Sequence, residues 1–258
     1  MTTMTNPARA PSDVPLQADV CFFAHYDPDG RIDPYVELYL RAIAGCGFSV
    51  VLVSAGELHA DDAARIAPLC ADVLTRSNGG LDFGSWSEAF ARYGAAVRGR
   101  LLLANDSVYG PIGDLAAMLR RLTAAPADIY GLVESLQISP HLQSWFLLFE
   151  PRAHRSDAFR RLMSQDFAAM PKRDIIRNGE VAATASLAAA GFHYRPLVVQ
   201  SPMVRRLAFN PTHFLWRELL TRDGLPFVKI ELLRDKMGPE MREDALREIA
   251  RISPNGRT

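Results

Sequence analysis

"ADVCFFAHYDPDGRIDPY", Ala18 to Tyr35, reads as strand, loop and helix start in succession. The run "ADVCFFAH" is apolar without alternation. A strand of that kind is buried on both faces, which points to a parallel sheet covered by helices. Asp33 can cap a helix with Pro34 in its first turn, running to about Cys46 with Gly47 as its stop. Between them the loop holds a histidine, aspartates and a glycine. An EF-hand needs oxygen ligands at loop positions 1, 3 and 5, glycine at 6 and a bidentate glutamate at 12. Placing Gly30 at position 6 puts His25 at 1 and Val36 at 12, with Glu37 one residue late. Both anchoring ligands are lost, so the loop does not fit the EF-hand pattern. Asp27-Pro28-Asp29-Gly30 is strong turn chemistry instead, which leaves His25 and Tyr26 to explain at the strand exit.

The same alternation continues along the first half. "FSVVLVS" is a second strand, Asp61 to about Leu69 a short helix, and "ADVLT" a third strand. "SNGGLDFGSW" leads into a helix from about Ser85 to Val97, with Asp82 as a candidate cap. "RLLLAND" is a fourth strand, Pro111 opens the next helix, and "DIYGLVES" is a fifth strand. "LQSWFLLFE" follows at once and pairs in the same sheet. Helices then dominate: Asp157 to Met170, about Asp174 to Ala190, Thr212 to Arg222 and Glu240 to Ile252. The expectation is an α/β fold with a mostly parallel central sheet, helices on both faces and a helical C-terminal elaboration. Residues 1–17 read as a polar, disordered lead, and residues 18–258 as one domain.

Composition excludes some classes. The 258 residues are 48% hydrophobic and 22% charged, as in ordinary globular proteins. Lys+Arg and Asp+Glu both number 29, so no net basic charge holds nucleic acid. Cys21, Cys46 and Cys70 lack metal-ligand spacing and read as buried thiols of a reducing compartment. No apolar run approaches the roughly 20 residues of a membrane span, and the N-terminus lacks a signal peptide's apolar core. These features imply a cytoplasmic chain, with contact at the inner face of a membrane left open. Oligomeric state is not legible.

Ligands of open α/β sheets bind beyond the carboxyl ends of the strands, and the polar loops here fall at such ends. Strand one is followed by His25, Tyr26 and Asp27, and strand two by Ser54. Strand three leads to Asn78, Gly79 and Asp82, strand four to Asn105, Asp106 and Ser107, and strand five to Glu134. The glycines of "NGGLD" let backbone N–H groups approach a ligand. They form neither a Walker loop nor a dinucleotide fingerprint. Asp106 is a strand-end carboxylate able to hold a hard cation against a diphosphate. Lys229 and Arg234 can add positive charge if the C-terminal segment folds over the rim, whereas Lys236 reads as solvated. His141 and Gln143 flank the sixth strand. Trp86, Trp145 and Trp216 read first as core aromatics. No G-x-S-x-G elbow supports a hydrolase.

In order along the chain, "FFAHYDPDGRIDPYV", "RSNGGLDFGSW", "LLLANDSVYGP", "SPHLQSWFLLF", "GEVAATASLAAAGF" and "NPTHFLWRELL…PFVKIELLRD" resemble the rhamnan synthesis protein F family of polysaccharide-building enzymes. The resemblance covers nearly all of Ala18 to Asp235. It implies a GT-A-like fold and glycosyl transfer from a nucleotide sugar, dTDP-rhamnose among the candidates. The acceptor would be a growing cell-surface polysaccharide or lipopolysaccharide, or a lipid-linked glycan. Asn105-Asp106-Ser107 stands where GT-A enzymes carry D-x-D, reduced to one carboxylate, so any Mg²⁺ or Mn²⁺ would rest on Asp106. The donor would meet His25, Tyr26, Asp27, Ser54, Asn78, Gly79, Asp82, Asn105, Ser107, Lys229 and Arg234. Glu134, His141 and Gln143 would face the acceptor. "NGEVAATASLAAAGF" resembles the acceptor-side helix of inverting enzymes, which makes Glu180 the candidate general base. A non-catalytic module that binds nucleotide sugar or glycan beside a separate transferase is the alternative.

Overall fold

A computed structural model describes residues 14–199, 210–234 and 238–252. Four apolar strands form a parallel array: β1 (Val20–His25), β2 (Ser49–Ser54), β3 (Asp72–Thr75) and β4 (Leu101–Asn105). β5 (Val108–Tyr109) leaves the sheet. β6 (Ile129–Ser135), β7 (His141–Leu142), β8 (Phe146–Phe149) and β9 (Tyr194–Val198) complete it in the order β3-β2-β1-β4-β8-β6-β7, with β9 also on β6. β8 runs antiparallel between β4 and β6, so β6 and β9 point the same way as β1 to β4. The sheet is mostly parallel, and the ends of β1, β2, β3, β4 and β6 share one rim.

The apolar strands are explained by their parity. Cys21, Phe23, Val50, Leu52, Leu102 and Ala104 pack on one face beneath the helices Pro34–Gly45 and Leu115–Leu122. Val20, Phe22, Val51, Val53, Leu101 and Leu103 pack on the other, against Leu81–Tyr93, Asp157–Met163 and Ala182–Ala189. Burying such a side chain contributes about 1.5–3 kcal/mol, and the buried polar residues of β1, β2 and β4, namely His25, Ser49, Ser54 and Asn105, stand at strand ends. A third cluster, including Trp216, Leu220, Val228, Leu232 and Ile249, joins the C-terminal helices.

Several expected boundaries are corrected. The third helix starts at Leu81, not Ser85, because Gly80 takes a left-handed φ of +78° and caps it without a side chain. Asp82 is therefore in the first turn and does not cap. Pro111 does not open a helix; Asp114 caps Leu115–Leu122, its Oδ1 accepting from the Ala117 N–H at 3.0 Å. The helix from Asp157 ends at Met163, and Asp166 caps a separate 3₁₀ turn, Phe167–Ala169. The helix from about Asp174 is interrupted by a π turn, Ile176–Val181. Thr212 to Arg222 divides into Pro211–Phe214 and Trp216–Thr221. Unforeseen are β5, β9 and β10 (Val228–Lys229), the last antiparallel to β5.

Most of the expected N-terminal lead, and Lys236, lie outside the described residues. Of the lead's described part, Val14 is buried and the Gln17 N–H donates to Ser49 Oγ. Cys21 is buried, while Cys46 and Cys70 are half-buried; all three are free thiols. Among the described residues no helix is long and apolar enough to cross a membrane.

Candidate functional site

A cavity of about 340 Å³ opens at the carboxyl ends of the strands. Its floor is the end of β4. Asn105 Nδ2 donates to Asp82 Oδ2 at 2.7 Å, and Asn105 Oδ1 accepts from both the N–H and the hydroxyl of Ser107. Asn105 thus ties the first turn of helix Leu81–Tyr93 to the β4 loop. Asp106 Oδ2 accepts from the Tyr26 N–H at 3.0 Å, and the Tyr35 hydroxyl donates to the Asp106 carbonyl. The β5–β10 ribbon brings Lys229 over this floor. Its Nζ donates to Ser107 Oγ at 3.0 Å and lies 5.5 Å from the Trp145 ring centroid.

The opposite wall holds Glu180, aimed by the π turn. Its Oε2 accepts from Ser144 Oγ at 2.5 Å, and its Oε1 lies 3.2 Å from His141 Nε2. Gly179 permits this placement, since a Cβ there would stand 2.7 Å from the Phe83 ring. Gln143 Nε2 donates to Asn210 Oδ1, and Trp145 Nε1 to Gln143 Oε1. That chain docks the segment from Asn210 onto the turn before β8. His213 and Glu231 complete the wall, with Nε2 and Oε2 3.2 Å apart but out of hydrogen-bond alignment. Tyr26 and Arg234, both exposed, stand at the mouth.

The cavity is short of positive charge. Its lining carries four carboxylates, Asp82, Asp106, Glu180 and Glu231, against the cations Lys229 and Arg234. Burial raises Asp82 to about 6, with Glu180 adding to the rise and Asn105 and Lys229 opposing it. Burial raises Asp106 to about 7, aided by Asp82 and opposed by the Tyr26 N–H and Arg234. Burial pushes Glu180 up as well. The hydrogen bonds from His141 and Ser144 and the charges of His141 and Lys229 outweigh it, leaving Glu180 below the ordinary glutamate range. Burial lowers the Lys229 ammonium against the pull of Glu180, Asp82, Glu231 and Asp106.

Among the described residues no group of three or more His, Cys, Asp or Glu side chains could hold a metal ion. Mg²⁺ usually takes only one or two carboxylates and fills its shell with waters and substrate phosphates. Asp106 and Asp82 are the two carboxylates at the cavity floor, and the charge of Asp82 adds to the rise of Asp106.

Of the residues expected from sequence, Tyr26, Asp82, Asn105, Asp106, Ser107, Gln143, Glu180, Lys229 and Arg234 line the cavity. Others lie elsewhere. His25 is buried beneath the floor, with Nδ1 3.3 Å from Ser54 Oγ and Nε2 3.7 Å from Asp106 Oδ2. Ser54 is buried with it. Asp27 is a turn residue, its Oδ1 accepting from the N–H groups of Asp29 and Arg31. Asn78 and Gly79 are not lining residues. Gly79 faces Ala168, and its carbonyl accepts from the Arg76 guanidinium. Glu134 is buried in β6 with the Tyr194 hydroxyl 3.3 Å away, and His141 stands behind Glu180. Sequence reasoning missed Tyr35, Gln137, Ser144, Asn210, His213, Ile230 and Glu231 as lining residues. Only membership of the segments "SPHLQSWF", "NPTHFLW" and "PFVKIEL" marked most of them.

The family model described as Rhamnan synthesis protein F matches residues 50–253. An uncharacterized protein, y4gN, of Sinorhizobium fredii is 27% identical over 184 residues, 69% of this chain and 48% of the relative. A protein named virulence protein VirA, of Vibrio anguillarum, is 28% identical over 199 residues, 64% of this chain and 63% of the relative. The chain thus spans between about half and under two thirds of these curated relatives. Among solved structures, a cytidylyltransferase of Leptospira borgpetersenii aligns at a TM-score of 0.40 and 11% identity, covering 93% of this chain and 98% of that one. At that score the strand order, not the likeness, describes the architecture.

Proposed function

The chain belongs to the rhamnan synthesis protein F family, and from that premise we propose a GT-A-like glycosyltransferase that moves a sugar from a nucleotide-activated donor to a growing cell-surface glycan. The supporting observation is the β4 end: Asn105, Asp106 and Ser107 lie on the floor of a cavity that also gathers Lys229 and Glu180. Its volume of about 340 Å³ suits a sugar and its diphosphate. The exposed Tyr26 at the mouth offers a flat surface to the base.

In this reading the acceptor hydroxyl attacks the anomeric carbon as the bond to the diphosphate oxygen breaks. The electron pair leaves with the diphosphate, and the acceptor's proton passes to Glu180. Lys229 and Arg234 attract the diphosphate. They face four carboxylates, so a dianion entering here needs further positive charge. A divalent cation, Mg²⁺ or Mn²⁺, would be held by Asp106 with Asp82 and would neutralise that charge when bound. Gln143, Asn210 and Ser144 supply polar atoms to sugar hydroxyls, which fixes orientation before reaction.

The test is a panel of nucleotide sugars with divalent cation, read by thermal stabilisation and then by release of nucleoside diphosphate on adding acceptor glycans. Stabilisation and release by the same nucleotide sugar are expected. Binding without release across the panel would instead make the chain a non-catalytic binding module, and no binding would overturn the nucleotide-sugar reading.

A further inference from the structure

Glu180 is not an isolated carboxylate, and its partner's hydrogen bonds determine how many protons the two share. His141 Nδ1 lies 2.7 Å from the Ser139 carbonyl oxygen, and His141 Nε2 lies 3.2 Å from Glu180 Oε1. A carbonyl only accepts, so Nδ1 must carry a proton. An ionised carboxylate also only accepts, so the contact at Nε2 needs a second proton, carried by the ring or by the carboxyl. A neutral imidazole satisfies one of these contacts and turns a lone pair toward the other. The arrangement therefore holds one proton more than a neutral histidine beside a carboxylate.

Two placements of that proton meet the count: imidazolium with carboxylate, or neutral imidazole with carboxylic acid. The surroundings favour the first. Ser144 Oγ donates to Glu180 Oε2 at 2.5 Å, and Lys229 lines the same cavity; both stabilise negative charge on Glu180. Glu134, from the neighbouring strand β6, attracts positive charge at His141. Asp82, on the same cavity lining, opposes the ionisation of Glu180, and the bonds from His141 and Ser144 with the charge of Lys229 outweigh it. The His141 side chain is 3% exposed and that of Glu180 30%, so water screens the inner partner little.

We propose that His141 is held as an imidazolium and is the positioning residue that keeps Glu180 ionised and turned toward the cavity. This deepens the glycosyltransferase reading, for a carboxylate that receives the acceptor's proton must begin deprotonated. The ion pair itself is a property of the resting protein and needs no substrate. Burial lowers the His141 ring, yet the bonds to Glu180 and Ser139 and the charges of Glu180 and Glu134 outweigh it and leave it above the ordinary histidine value.

The decisive measurement is a pH titration of the ¹⁵N-labelled histidine rings by NMR, on the whole chain without ligand. His141 should keep both ring protons through pH 7 and lose one only above it. In Glu180→Gln the same ring should be neutral at pH 7, a downward move of roughly 1 to 3 pH units. A neutral His141 at pH 7 in the native protein, or an unchanged titration in Glu180→Gln, would overturn the proposal. With turnover in hand, His141→Gln supplies the functional arm. Glutamine can donate to Glu180 but carries no charge, so the acid limb of the pH–rate profile should move upward by about a unit or more. A merely structural histidine would lower activity at every pH without moving the limb, and that result too would overturn it. Should no transfer activity exist, the glycosyltransferase reading fails while the NMR titration still decides the ion pair.

Discussion

Glu180 and Asp106 carry opposite electrostatic instructions within one cavity. Glu180 is hydrogen-bonded by His141 and Ser144 and stays ionised. Removing a general base costs about 10² to 10⁴ in rate. Glu180→Gln should lower turnover by that order while donor affinity, measured by calorimetry, stays nearly constant, because the lost interaction belongs to the transition state. Near-normal turnover would reject Glu180 as the base. Asp106 behaves differently, since burial raises it to about 7. The folded protein keeps a proton that the unfolded chain has released, so this group's contribution to stability is full below about pH 4 and declines as pH rises through about 7. Asp106→Asn removes the penalty. Without ligand the variant should gain stability over the native protein by on the order of 1–3 kcal/mol at pH 8 and by much less at pH 5. Melting curves at both values check this, and an equal or reversed gain would contradict the buried-carboxylate account.

The π turn Ile176–Val181 is the element that aims Glu180. Turns of this type recur at functional sites because one extra residue per turn re-aims a side chain. Here the device depends on backbone contact between Gly179 and the buried Phe83 ring. A methyl group at Gly179 would stand 2.7 Å from that ring, closer than carbon atoms pack. Gly179→Ala should cost about 1–3 kcal/mol by overpacking and should lower turnover, because the shifted turn withdraws Glu180. Phe83→Leu in the same chain makes room and should recover part of both. Loss of turnover with an unchanged melting temperature in Gly179→Ala would show that the clash is not the cause. The β5–β10 ribbon is the complementary element. Only two residue pairs long, it seats Lys229 beside Ser107.

On the scale of the whole molecule, the cavity joins two parts of the chain: the rim of the sheet and the segment from Asn210 to Arg234. Phe227 packs against Tyr39, Trp145 and Phe146, which anchors that segment in the main core. A ligand bridging both parts stabilises the entire fold. At about 100 times its dissociation constant it adds roughly 2.7 kcal/mol, and each kcal/mol moves the midpoint by about 2–4 °C in a domain of this size. The cognate nucleotide sugar with Mg²⁺ or Mn²⁺ should therefore raise the melting temperature by about 5–10 °C. Chelator should remove most of that gain and Asp106→Asn should abolish the cation's share. A shift indifferent to chelator would leave the charge to Lys229 and Arg234 alone.

The sequence by itself determined the parallel strands β1 to β4, the helices that cover them and the rim that carries the cavity floor. These signals are local: uninterrupted apolar runs, a proline in the first turn of a helix, polar residues placed where strands end; Asp33 holds the N-cap position without the side-chain bond expected of it. It also placed Asp106 and Glu180 as the acids to watch, through segments that resemble a family. The tertiary structure alone decided that β8 enters antiparallel between β4 and β6, because an apolar strand reads the same in either direction. It alone separated Tyr26, which lines the cavity, from Asp27, which binds its own turn. It decided the partners as well: His141 meets Glu180 across 39 residues of chain, and Lys229 meets Ser107 across 122. Propensity and periodicity act over one or two turns of chain. Charge, burial and hydrogen bonding act through space, and only the packed molecule specifies those distances.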